Sequence, residues 1–106
     1  MEETDVVSAG QILMRTNFRA LLVFAVVLET GSLSRAATVL GCSSSSISIY
    51  LKQVRQGSGL KLFSREGREL LPTPAAQVLG SNLARCFGGI GNVLLQQEVR
   101  CERRIE

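Results

Sequence analysis

Apolar positions recur with helical spacing three times between residues 18 and 56, and each run is bounded by residues that start or stop helices. The first run, Phe18 to about Glu29, carries Leu21, Leu22, Phe24, Ala25 and Leu28 with Val23, Val26 and Val27 between them. A helix this apolar nearly all round is expected to be buried on several sides. Asn17 suits its N-cap, and Gly31 stops it. The second run, Leu33, Ala36, Ala37 and Leu40, predicts a helix over about 33–40, capped by Ser32. Gly41 then supplies the left-handed residue that closes a helix. Ser43 or Ser44 caps a third helix, about 44–56, in which Ile47, Leu51 and Val54 fall at i, i+4 and i+7. The Ala36-Ala37 pair lets two helices approach closely, and Gly57-Ser58-Gly59 is expected to break the third.

The period then changes. Leu60-Lys61-Leu62-Phe63 alternates as a short strand, Ser64 to Arg68 reads as a turn, and Glu69-Leu70-Leu71 returns as a second strand. This predicts a hairpin, or wing, with Arg65 and Arg68 at its tip. Pro72 ends the second strand, Thr73 caps, and Pro74 takes the first position of a long helix reaching about Gln97. Along it Ala76, Gly80, Leu83, Phe87, Ile90 and Leu94 keep the alternating four-and-three spacing of a coiled-coil seam. Gly88, Gly89 and Gly91 predict a kink or break there. The expected fold is mainly α: a winged helix-turn-helix, meaning three helices plus a small β-hairpin, followed by a long fourth linker or dimerisation helix. The expected units are a flexible leader over 1–15, the winged helix-turn-helix over 16–73 with its helix pair about 33–52, the long helix over 74–98 and a charged tail over 99–106. A helix pair whose second member has a polar outer face is the shape that enters a DNA major groove.

Charge supports that reading. Residues 1–14 hold Glu2, Glu3 and Asp5 and no basic residue, whereas residues 15–73 carry a net +5 and residues 74–106 a net +1. The basic excess lies where a polyanion would bind, although a merely solvated basic face accounts for it too. The chain has no His, and Asp5 is its one Asp. Catalytic triads and His-ligated metal are excluded, so neither an enzyme, a metal site nor a cofactor is expected. Cys42, Cys86 and Cys101 are odd in number and lack metal-ligand spacing, which fits ordinary thiols in a reducing cytoplasm. Arg15 and Arg19 before the apolar run Ala20–Leu28 also match a signal peptide starting at Met14, the second candidate start. Glu29 and Arg35 interrupt its cleavage region, and the run is far short of the ~20 residues that span a bilayer. No membrane partner is therefore expected.

The pattern Leu21, Phe24, Glu29, Gly31-Ser32, Ala36-Ala37, Leu40, Ser48, Leu51, Val54, Gly59, Leu62-Phe63, Arg65, Thr73 and Ala75 resembles the N-terminal DNA-binding domain of LysR-type transcriptional regulators. The spacing holds without a gap from about Arg15 to Ala76. The resemblance implies a winged helix-turn-helix on double-stranded DNA and a long helix that pairs two subunits. It covers the DNA-binding domain and linker helix and not the family's effector domain, so no small-molecule effector is implied. The chain departs from the family pattern at Ser44-Ser45, where Gln-Pro is usual, and at Ile49, where a polar or basic residue is usual. Arg55 stands for a common Glu, Ser58 for a core Leu, Pro72 for an aliphatic residue and Ala76 for a Gly.

With Ile47, Leu51 and Val54 turned inward, the outer face of the third helix holds Ser45, Ile49, Lys52 and Gln56, flanked by Ser48 and Gln53. Ser45, Ser48 and Gln53 suit base edges, Ile49 a thymine methyl, and Lys52 a phosphate or guanine. Ser43, Ser44, Ser45 and Ser46 place hydroxyls and free N–H groups at a helix start, which suits a phosphate or serves simply as capping. Ser34 and Arg35 begin the helix that crosses the backbone, and Arg65 and Arg68 would reach phosphate or the minor groove. Arg65 has a second reading, as a structural tie between wing and body. Leu83, Phe87, Ile90 and Leu94 either pack on the first helix or pair two subunits, and the expected assembly is a homodimer. The alternative function is an interaction module that pairs with a related full-length regulator as a heterodimer and binds DNA weakly itself.

Overall fold

The computed structural model describes residues 5–66 and 69–104, with the side chains at 65, 66, 69, 70 and 98–104 left aside. Five helices and one two-stranded sheet lie within them: α1 (Val6–Leu13), α2 (Phe18–Thr30), α3 (Leu33–Leu40), α4 (Ser44–Ser58), β1 (Phe63–Glu66), β2 (Glu69–Pro72) and α5 (Pro74–Arg104).

Each of the anticipated caps forms. Asn17 Oδ1 accepts from the Ala20 amide at 3.0 Å, Ser32 Oγ from Arg35 at 3.2 Å, and Ser43 Oγ from Ser46 at 3.1 Å. Thr73 Oγ1 accepts from Ala76 at 3.2 Å. A side chain at each of these points satisfies an amide that the helix itself leaves without an acceptor, and an N-cap of this type contributes about 1 kcal/mol. Gly41 closes α3 at φ 69°, and its amide donates to the α3 carbonyls. Gly59 closes α4 at φ 69°. α4 therefore runs two residues past the expected end, because Gly57 stays helical and the left-handed turn falls at Gly59.

The core is a three-way junction. α2 packs against α3, α4 and α5, and Phe24, Ile47 and Leu62 are the largest fully buried side chains. Ile47, Leu51 and Val54 are all buried, as their spacing predicts. Ala36 and Ala37 are buried too, where α3 meets its neighbours without bulky side chains to hold it off. Phe24 meets Phe63 edge-to-face, with ring centroids 6.1 Å apart, and so ties the start of the wing to α2. The apolar run Ala20–Leu28, which matched a signal peptide in composition, is core: Ala20, Val23, Phe24, Ala25 and Val27 are buried. No single described helix is long and apolar enough to cross a membrane, and α1 and α2 turn through 88° between them.

Three features differ from the expectation. The leader, read as loose, contains α1, capped by Asp5 Oδ1 accepting from the Ser8 amide at 2.7 Å. The hairpin begins at Phe63 rather than Leu60 and pairs Phe63 with Pro72, Ser64 with Leu71, Arg65 with Leu70 and Glu66 with Glu69. Lys61 and Leu62 lie outside the ladder because Thr73 takes their carbonyls: its Oγ1 donates to Lys61 O at 2.7 Å and its amide to Leu62 O at 3.0 Å. Finally, α5 continues through Gly88, Gly89 and Gly91 without interruption. The cost of glycine in a helix is roughly 1 kcal/mol per residue, which 31 consecutive helical residues can absorb.

Candidate nucleic-acid interface

The outer face of α4 is open. Ser44, Ser45, Ser48, Ile49, Lys52 and Gln56 are exposed, and Ile49 keeps 58% of its surface accessible. They stand outward because Ile47, Leu51 and Val54 hold the opposite face in the core. At the start of α4, Ser43 is spent on the cap and its hydroxyl lies 3.0 Å from that of Ser46. The amides of Ser44 and Ser45 have no acceptor among the described residues. Two hydroxyls and two free N–H groups at the positive end of a 15-residue helix form an anion-receptive surface.

α3 brings a second helix start to the same place. Ser32, Ser34 and Ser44 line one groove, whose far wall is Phe63, Leu71 and Pro72 of the wing. Ser34 Oγ lies 3.0 Å from Ser32 Oγ, beside the α3 cap. A second groove continues on the other side of Leu33 and Phe63. It runs between α4 and the base of the wing, lined by Ser48, Lys52, Arg55 and Lys61 over a floor of Leu51 and Leu62. No carboxylate lines either groove among the described residues.

The anticipated residues thus divide. Ser34, Ser44, Ser48 and Lys52 line this pair of grooves, with Ser45 and Ile49 on the adjoining outer surface of α4. Arg35 lies outside both grooves, on an adjoining shallow surface with Glu29, Thr30, Ser34, Thr38 and Val39. Gln53 is turned toward α2: its Oε1 accepts from Asn17 Nδ2, and it lines a pocket with Arg15, Ala20 and Leu79. That bond ties the middle of α4 to the cap of α2 and occupies the carbonyl needed for bidentate pairing with adenine. Tyr50 is half-buried against the core, beside Leu40, Cys42 and Phe87. Arg65 lies within β1 rather than at a turn, and its side chain falls outside the described residues, as does the whole of Arg68. Arg55 and Lys61 were not singled out by pattern. The signal for Arg55 was its place seven residues after Ser48 and three after Lys52, one strip along α4.

The long helix also divides. Leu83 packs against the core and Phe87 meets Phe18 edge-to-face at 6.1 Å, both within one chain. Ile90 and Leu94 are exposed, together with Val93 and Leu95. Cys42 is half-buried and Cys86 exposed, both as free thiols. Among the described residues no group of three or more His, Cys, Asp or Glu is placed to hold a metal ion.

A helix pair with capped, serine-rich starts, a polar second helix and a wing at its flank defines the winged helix-turn-helix class. Residues 18–77 match the bacterial regulatory helix-turn-helix protein model of the lysR family. The chain belongs to that family. It is 42% identical over 72 residues to the HTH-type transcriptional regulator AceR of Acinetobacter baumannii, covering 68% of this chain and 24% of that protein. Among solved structures, a probable transcriptional regulator from Pseudomonas aeruginosa matches with TM-score 0.71 and 32% identity over 79% of this chain and 28% of that one. The BenM DNA-binding domain, crystallised with benA site 1 DNA, shares the fold at TM-score 0.69 and 19% identity, over 81% of this chain and 97% of that one. The chain spans about a quarter of the length of the curated relatives it matches.

Proposed function

We propose that the chain acts as a cytoplasmic, sequence-specific DNA-binding regulator of transcription, without catalysis, and reads double-stranded DNA as a homodimer. The observation that carries this reading is the face of α4. Its buried stripe Ile47–Leu51–Val54 holds Ser45, Ser48, Ile49 and Lys52 toward solvent, beside a second helix start that is also rich in serine. Amides and hydroxyls at the starts of α3 and α4 suit phosphates and set the register, while the middle of α4 supplies base choice. AceR, a transcriptional regulator by name, supports the same direction, and the BenM domain crystallised with benA site 1 DNA shares the fold. The exposed apolar end of α5 supports pairing of two copies, so that two α4 helices meet two half-sites.

Selection of bound fragments from genomic DNA, followed by gel shifts on the selected sites, tests this. Lys52→Ala is expected to weaken every site by a similar factor, whereas Ser45→Ala changes which sites rank highest. Gln53→Ala separates the two placements of that residue: it lowers stability by about 1 kcal/mol if the bond to Asn17 is its work, and alters site preference if it reads a base. Failure to retain any duplex at low salt counts against the proposal.

A further inference from the structure

The groove between α4 and the base of the wing holds charge beyond that of the base-reading face. Lys52, Arg55 and Lys61 line it with Ser48, and its floor is apolar: Leu33, Leu51, Leu62 and Phe63. Leu51 and Leu62 are core residues, so the floor is rigid. Lys61 is held at the rim by its backbone, because its carbonyl accepts the Thr73 hydroxyl at 2.7 Å and Thr73 in turn caps α5. Arg55 is placed by the last turns of α4, ahead of the left-handed turn at Gly59. Lys52, Arg55 and Lys61 bring three cations to one groove, an arrangement that favours an anion there. Long basic side chains can lay their stems along such a floor and extend only their charged ends.

The shape narrows the ligand. The groove is open along its length and encloses about 490 Å³, far more than a single phosphate fills. Ser48, Lys52 and Arg55 follow one another at i, i+4 and i+7, a strip that rises about 10 Å along α4. Ser48 and Lys52 are shared between this strip and the outward face, so a ligand lying on that face continues into the groove. A linear polyanion satisfies these conditions. Resting on the DNA-binding reading above, we infer that Arg55 and Lys61 form a phosphate seat on the wing side of α4, holding consecutive phosphates of one strand of the duplex that the outward face of α4 reads. The seat adds affinity and register and leaves base choice to Ser45, Ser48 and Ile49.

The test is the salt dependence of binding to a random-sequence duplex of about 30 base pairs, followed by fluorescence anisotropy. In Arg55→Gln/Lys61→Gln, the slope of log affinity against log salt is expected to fall by about 1.8, since each lost phosphate contact removes about 0.9. Affinity at low salt should drop by roughly tenfold per residue, the size of one lost charge-assisted hydrogen bond. The ranking of selected genomic sites should be unchanged. Arg85→Gln is the control per charge removed: Arg85 sits on α5 and donates to Asn82 Oδ1 at 2.7 Å, away from the groove. An unchanged slope in the double variant, with duplex binding retained, overturns the seat and leaves the DNA-binding reading standing. An equal loss of slope per charge removed in Arg85→Gln also overturns it, by showing that net charge alone acts. If the unaltered chain shows no salt-dependent binding, the DNA-binding reading falls and the seat with it.

Discussion

The two halves of α5 carry one apolar rhythm and meet different surroundings. In the first half, Ala76 is fully buried, Gly80 lies against Leu28, and Leu83 and Phe87 rest on the rest of the chain. In the second half, Ile90 and Leu94 follow at the same spacing but keep 48% and 58% of their surfaces exposed. The difference lies in α2, not in α5. α2 is 13 residues long, about 20 Å, whereas the 31 residues of α5 extend about 46 Å. Phe18, the first residue of α2, already meets Phe87, and past that contact α5 has outrun its support. A seam of constant spacing therefore serves the fold of one chain at its start and stays exposed at its end.

Substitutions in the two halves should separate these roles. Ala76→Leu forces a large side chain between α5 and a core that has no room for it, and should cost about 1–3 kcal/mol, read as a lowered midpoint in denaturant. Were the loss negligible, the first half would not be seated on α2 as described. Ile90→Glu/Leu94→Glu should leave chain stability within about 0.5 kcal/mol per site while abolishing self-association in sedimentation experiments. A double variant that stays dimeric would place the subunit contact elsewhere. The smallest effect concerns α1, which has no buried residue and so depends on its cap. The Ser8 amide and hydroxyl hold the Asp5 carboxyl below the usual carboxylate range. A lowered folded value means that the cap's stabilisation is complete above the ordinary range and is lost as pH falls through the lowered one. A lower protection factor for the Ser8 amide in acid, reproduced at neutral pH by Asp5→Ala, is the expected sign.

Much of the scaffold was legible because it rests on short-range chemistry. Asn17, Ser32, Ser43 and Thr73 cap within three residues of themselves, and Gly41 closes α3 in a conformation that other residues rarely adopt. The stripe Ile47–Leu51–Val54 was readable for the same reason: one helical period turns all three to one side. α1 was missed although its signal was present, since Asp5 stands three residues before the amide it caps. The wing was found but set three residues early, because its register depends on Thr73 reaching back 11 and 12 residues to Leu62 and Lys61.

The interface shows the same division. Period and capping alone placed Ser45, Ser48, Ile49 and Lys52 on the outer face of α4, and the structure keeps them there. Three outcomes needed the packed chain. Gln53 turned to Asn17, 36 residues away; Arg55 and Lys61 came to face one groove across the Gly59 turn; and the seam of α5 split at Phe87. Helical spacing states which residues share a side. Which neighbour that side meets, or whether it meets one, depends on the lengths and crossings of the other elements.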